Sequence, residues 1–377
     1  MGIFMLTGIT LASCAVDAQD RYLAALSGAA FLETQGGLQV IVTSAGENAV
    51  TRFAFDGELT QVEAVRLSAH AGLHDLVATT DGLVALARWD AAVSIDAQTI
   101  TQGGAHNLVA LSGDTLALRA TAGLTLDGRT ITDTAAAPLG DVTALATLAD
   151  GRTIAGSAFD TGIALLDAAG TVTDVALAED GFWHNRVSAI ETLRIGDSDF
   201  AVVAASGSSS LSVFEIAGDE LILTDHEWDN MMTRFSGVAE LATLQIGDMT
   251  VVAAGGADQG LSLFELTPAG DLVHLRDIVD TFDTTLDGIT GLDMIAQGDT
   301  AYLAATSERD NGLSVFELEF EFAETQPANV PVDPVLIEMA MSAPAQTSKP
   351  SDMMRDDTAP TPPAWIADHM EPDMFVL

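Results

Sequence analysis

Apolar and polar positions alternate along most of this chain. Three stretches do so in nearly the same letters: Ser210-Leu211-Ser212-Val213-Phe214-Glu215-Ile216, Gly260-Leu261-Ser262-Leu263-Phe264-Glu265-Leu266 and Gly312-Leu313-Ser314-Val315-Phe316-Glu317-Leu318. A period of two is the mark of a half-buried strand. The three Phe residues stand 50 and 52 residues apart, and strand-built recurrences of roughly 40–50 residues predict propeller blades. Around each copy the same order returns. An apolar strand opens near a small residue (Gly28, Gly140, Ser188, Gly237 or Gly288), and a turn such as Gln35-Gly36-Gly37 or Ala149-Asp150-Gly151 follows. The next strand ends in small residues, as in Val202-Val203-Ala204-Ala205. The Phe strand comes third, and a hairpin such as Asp56-Gly57 leads to an outer strand.

Openings near 28, 72, 106, 140, 188, 237 and 288 predict an all-β fold, a single propeller of about seven four-stranded blades. Residues 60–135 lack the Phe motif, so six or eight blades also fit. The last unit stops at Phe320-Glu321-Phe322 without an outer strand of its own. Residues 3–16 supply one, because Ile9 to Asp17 aligns with Asp271 to Asp280, and a ring closed this way leaves no open edge. The same stretch contains Leu11-Ala12-Ser13-Cys14, which matches a bacterial lipoprotein cleavage box, although residues 1–10 carry no Lys or Arg. Two readings stand: a closing strand, or a leader that leaves the protein lipid-anchored through Cys14.

Composition changes near residue 324. Nine of the 11 prolines lie beyond it. The expected domains are a propeller over 1–323 and a Pro-rich, acidic, disordered tail over 324–377. The tail ends in Asp373-Met374-Phe375-Val376-Leu377, an acidic residue before four apolar ones, which reads as a secretion signal or as a frayed terminus.

The chain holds 55 acidic and 14 basic residues, a net charge of −41. Such a surface repels nucleic acid and anionic membranes and favours cations. No apolar run reaches the roughly 18 residues of a membrane span. Cys14 is the lone cysteine, so no internal disulfide forms. Gly-x-Ser-x-Gly, His-Glu-x-x-His, phosphate-loop and dinucleotide motifs are all missing.

Two constellations remain as candidate sites. The loops Trp183-His184-Asn185-Arg186 and Trp228-Asp229-Asn230 to Arg234 each pair a Trp with an Arg just before a blade opens. Their guanidinium groups and rings suit a carboxylate or a sugar at the channel mouth, and the alternative is that they balance local acid and cap their blades. Asp160, Asp258 and Asp310 recur in Asp-x-Gly loops. They are weak candidates for calcium, since one loop falls short of about six oxygens and Asp-Gly is also an ordinary turn.

The Gly-Leu-Ser-Val-Phe-Glu-Leu strand, the Gly270-Asp271-Leu272-Val273-His274-Leu275 hairpin and the Thr284-Thr285-Leu286-Asp287-Gly288 opening resemble the N-terminal propeller region of bacterial RTX-type secreted calcium-binding proteins. The terminal Asp373 to Leu377 is similar to the type I secretion signals of that family. The Gly-Gly-x-Gly-x-Asp repeats of that family do not occur. The blades are also loosely similar to seven-bladed lactonase propellers. These resemblances imply an extracellular, non-enzymatic protein or carbohydrate binder exported by a type I system, with a channel-mouth hydrolase as the alternative.

Overall fold

The chain divides into two units, Met1–Thr325 and Gln326–Leu377. The computed structural model describes residues 2–324, apart from 68–71, 80–81, 88–92, 96–99, 103–107, 113–114, 121–122, 127, 159–161, 178–184 and 299. The expected tail and its terminal signal therefore lie outside the described residues.

Among the described residues there is no helix, and the strands form a propeller arrangement of four-stranded antiparallel sheets. The outermost strand of one sheet is β1 (Gly2–Val16). The first consecutive sheet holds β2 (Leu26–Thr34), β3 (Gly37–Ser44), β4 (Ala49–Phe55) and β5 (Leu59–Arg66). The second holds β6 (Leu73–Thr79), β7 (Gly82–Ala87), β8 (Val93–Ile95) and β9 (Ile100–Gln102). The third holds β10 (Leu108–Ser112), β11 (Thr115–Ala120), β12 (Gly123–Leu126) and β13 (Arg129–Thr132). The fourth holds β14 (Val142–Thr147), β15 (Thr153–Ser157), β16 (Gly162–Leu166) and β17 (Val172–Leu177). The fifth holds β18 (Val187–Ile195), β19 (Ser198–Ala205), β20 (Ser210–Ala217) and β21 (Glu220–Trp228). The sixth holds β22 (Glu240–Ile246), β23 (Met249–Gly255), β24 (Gly260–Leu266) and β25 (Leu272–Val279). The last sheet runs β26 (Ile289–Gln297), β27 (Thr300–Ser307), β28 (Gly312–Glu324) and then β1. The inner strands β2, β6, β10, β14, β18, β22 and β26 neighbour one another in that order, and β26 neighbours β2.

The Phe strands were expected to be half-buried, and the structure corrects this: they are buried on both faces. In β20, Leu211 and Val213 pack toward the sixth sheet, whereas Phe214 and Ile216 pack toward the fourth. Phe264 faces the fifth sheet and Phe316 the sixth in the same way. The core of this fold thus lies between sheets, so a third strand sandwiched by two neighbours buries both sides. The alternation visible in the sequence is an alternation of which neighbour each side chain meets.

Polar links recur at fixed places between sheets. A bulge residue near the start of the inner strand donates its hydroxyl to a carbonyl at or just before the start of the next inner strand: Thr143 to Val187 at 2.6 Å, Ser188 to Val238 at 2.7 Å and Thr290 to Leu26 at 2.7 Å. On the outer strands, Asp174 accepts the Leu221 N–H at 2.7 Å and Asp225 accepts the Leu272 N–H at 2.7 Å. Ser13 of β1, at the same register place, accepts the Leu59 N–H at 3.1 Å. Between sheets, an Asp holds the N–H of an apolar residue six positions on: Asp17 to Leu23, Asp133 to Leu139, Asp229 to Phe235 and Asp280 to Leu286. Leu23, Leu139, Phe235 and Leu286 are each 0% exposed, so every such loop drives an anchored plug into the core.

Candidate functional site

The inner strands start from a left-handed turn. Ala25, Gly72, Asp141, Arg186 and Gly288 directly precede their inner strands and Gly237 stands three residues before β22; all six have positive φ, between 48° and 75°. Gly suits this conformation because it lacks the Cβ that makes it costly, which is why small residues marked three of the openings. Gly28 has another reason. A Cβ there would lie 3.0 Å from the Leu76 backbone nitrogen, so neighbouring inner strands meet at this point with no room for a side chain.

Where these strands meet, the structure assembles four carboxylates that the sequence reading passed over: Asp75 on β6, Glu191 on β18, Glu240 on β22 and Asp293 on β26. Each keeps partial exposure while protein surrounds it. Burial pushes Asp293 up to about 6, against the opposing pull of hydrogen bonds from the Phe31 N–H at 2.6 Å and the Met294 N–H at 2.8 Å. Burial pushes Asp75 up to about 7, offset in part by the Leu76 N–H at 2.6 Å. Glu191 rises to about 8, first by burial and then by the charges on Asp293 and Asp75, with a bond to Thr243 opposing. Glu240 is raised well above its ordinary value by burial and by the charges on Asp75 and Glu191. Carboxylates on four sheets sense one another because the inner strands converge. The missed signal was an acid inside the otherwise apolar first strand of a blade, as in Leu292-Asp293-Met294.

A cavity of about 470 Å³ opens beside Glu240, lined among others by Ala25, Gly72, His74, Thr290 and Glu308. Ala25 and Gly72 belong to the left-handed turns, so the cavity lies at the end where loops enter the inner strands.

The residues expected to form a site are only partly described. Trp183, His184 and Asp160 are outside the described residues. Asn185 and Arg186 are exposed, and their carbonyls accept the Gly207 and Ser206 N–H groups at 2.8 and 2.9 Å. Arg186 and Arg234 were aligned on one blade position, and they do not share it. Arg186 holds the left-handed place directly before its inner strand, whereas Arg234 sits three residues before the left-handed Gly237. Ser262 accepts the Arg234 N–H at 2.7 Å, as Ser314 accepts that of Thr285 at 2.9 Å, so the motif serine anchors the incoming loop. The Arg234 guanidinium lies 3.9 Å from Asp258. Asp229 takes the Phe235 N–H and the Thr233 hydroxyl, and Asn230 takes the Met232 N–H at 2.8 Å. Trp228 is exposed, with its ring edge-on to His226 at 4.3 Å. Among the described residues, none of these side chains lines the cavity. Asp258 accepts the Gln259 N–H at 3.0 Å, and Asp310 accepts the Asp287 N–H at 2.8 Å; both bonds lie within their turns and openings. Among the described residues, no group of three or more His, Cys, Asp or Glu side chains is placed to hold a metal ion. No helix there is long and apolar enough to cross a membrane.

No protein-family model and no curated protein matches the sequence, so the resemblance to RTX-type proteins rests on its motifs alone. Solved structures do match. The extracellular domain of a hybrid two component system from B. thetaiotaomicron aligns with TM-score 0.54 and 13% identity over 84% of this chain and 42% of that one. The chain thus spans less than half the length of that structure. A catalytically inactive virginiamycin B lyase from Staphylococcus aureus with quinupristin aligns with TM-score 0.54 and 11% identity over 81% of this chain and 99% of that one. A selenomethionine form of the same lyase gives TM-score 0.52 and 11% identity over 83% and 99%. At these identities the likeness establishes the propeller fold and nothing further.

Proposed function

We propose that this chain is an extracellular, non-enzymatic binding propeller whose ligand presents a cationic group to the mouth of the axial channel. The observation that carries this reading is the cavity of about 470 Å³ beside Glu240, an acid that senses the charges on Asp75 and Glu191, while Glu191 in turn senses Asp293. Carboxylates held partly protonated by burial first, and in Glu191 and Glu240 also by neighbouring acids, ionise when a cation arrives, which favours its binding. An organic ammonium or guanidinium is the cation proposed, because among the described residues no three acids are grouped to hold a metal ion. Isothermal titration with spermidine and with an arginine ester tests it. Binding should release heat, weaken at least tenfold in Glu240→Gln, and be accompanied by proton release near pH 7. Absence of binding, or equal binding by the variant, refutes the reading.

The ring is read as seven-bladed and latched by β1. Support comes from the adjacency of β26 to β2 and from Ser13, which links to Leu59 as Asp225 links to Leu272. Export through a type I system rests on Asp373 and the four apolar residues after it; removing 373–377 should retain the protein in the cytoplasm. Calcium binding at Asp160, Asp258 and Asp310 should appear as a rise in melting temperature at millimolar calcium. A second reading, a channel-mouth hydrolase or lyase, is favoured by His74 and Glu240 lining the same cavity, where the pair could move a proton. Loss of a measured turnover in His74→Ala with ligand affinity intact would establish it.

A further inference from the structure

Exposed large apolar side chains concentrate on three successive crossings between sheets. Trp228, Val279 and Val16 are 52%, 49% and 51% exposed. They occupy one place, the last residue of the outer strand, opposite Ser210, Gly260 and Gly312 respectively. Three residues beyond Trp228 comes Met231, and three beyond Val279 comes Phe282; they are 97% and 110% exposed, and Met232 is 73% exposed. Singly exposed apolar residues are ordinary, but a repeated placement on neighbouring blades is a surface feature with a pattern.

The loops that carry these side chains are fixed. Asp229 binds Phe235 and Thr233, and Asn230 binds the Met232 N–H. In the next loop Asp280 binds Leu286 and Thr284, and Thr281 binds Thr284. Buried Phe235 and Leu286 pin the far ends. Met231 and Phe282 are thus presented to water by rigid loops, so a partner that covers them spends little on ordering the backbone.

The electrostatics around the arc select the partner. Segments 16–22, 227–234 and 279–287 contain seven carboxylates (Asp17, Asp20, Glu227, Asp229, Asp280, Asp283 and Asp287) and two arginines, Arg21 and Arg234. Asp287 is paired with Arg309 at 2.8 Å and Arg234 lies near Asp258, while Asp17, Asp20 and Asp283 are exposed. An apolar stripe edged with negative charge complements a segment that has an apolar face edged with Lys or Arg, and Trp228 adds a ring face for a cation.

We propose that Trp228, Met231, Met232, Val279, Phe282 and Val16 form a docking surface for a basic amphipathic protein segment. The probe is a Lys-edged amphipathic peptide with a Leu face, compared with a Glu-edged peptide bearing the same Leu face. Binding is read by fluorescence anisotropy of the labelled peptide against the full chain. The expected result is saturable binding of the basic peptide alone, weakened at least tenfold by Met231→Ser/Met232→Ser/Phe282→Ser and weakened by added salt. The three changed side chains are solvent-exposed, so the melting temperature of the variant should equal that of the parent; Phe282→Ser alone serves if it does not. Equal binding of the acidic peptide, no binding of the basic one, or unchanged binding by the variant overturns the proposal. So does a concentration-dependent dimer in sedimentation, or binding to phosphatidylcholine vesicles, that the triple variant abolishes. Those results would assign the arc to a second copy or to a lipid surface.

Discussion

Replacing Glu191 with Gln should change how stability depends on pH. Glu191 is held near 8 in the fold against 4.5 for the free side chain, because burial and the charges on Asp293 and Asp75 oppose its ionisation. The folded protein therefore binds this proton more tightly than the unfolded chain. Its contribution is fully present below about pH 4.5 and is lost as pH rises toward about 8. At about 1.4 kcal/mol per pH unit, the full interval sets an upper bound of roughly 5 kcal/mol. Partial exposure of Glu191 to solvent reduces this, and a loss of about 2 kcal/mol between pH 5 and 8.5 is the expected value. For a unit spanning Met1–Thr325, at roughly 2.1 cal/mol/K of unfolding entropy per residue, that is a fall of about 3 °C in melting temperature. Thermal melts followed by circular dichroism at constant ionic strength measure it. Glu191→Gln, neutral at every pH, should flatten the slope and melt several degrees above the parent at pH 8.5. A parent whose melting temperature is level or rises over this range, or a variant with the parent's slope, would refute the reasoning.

Other outcomes follow from the packing. Phe264→Ala removes a ring that is 2% exposed between the fifth and sixth sheets, and should cost about 3–5 kcal/mol in urea unfolding. Asp280→Ala strips the Leu286 N–H and the Thr284 hydroxyl of their acceptor and should cost about 1–3 kcal/mol, with a matching loss in Asp229→Ala. Deleting residues 2–16 uncovers the whole outer edge of β28 and the link from Ser13 to Leu59, and should abolish a single cooperative melt. A truncated chain that melts cooperatively within a few degrees of the parent would show that β1 is dispensable.

The sequence by itself determined the strand order within a blade, because each strand carries its own period of two and the Phe motif repeats at blade length. It also located the crossing loops, since Asp, Asn and Gly declare turns through local chemistry. The cluster of buried carboxylates was not legible in the same way. Asp75, Glu191, Glu240 and Asp293 are spread over more than 200 residues, and each alone looks like a stray acid in a strand. Only convergence of the inner strands gives them one shared field and raises all four. The arginines show the converse. Arg186 and Arg234 look equivalent when aligned by the apolar residue that follows them, yet one occupies a left-handed turn and the other an anchored loop. Periodicity is a local property that a strand carries with it, whereas burial, pKa and the company a side chain keeps are set by elements that the chain brings together from a distance.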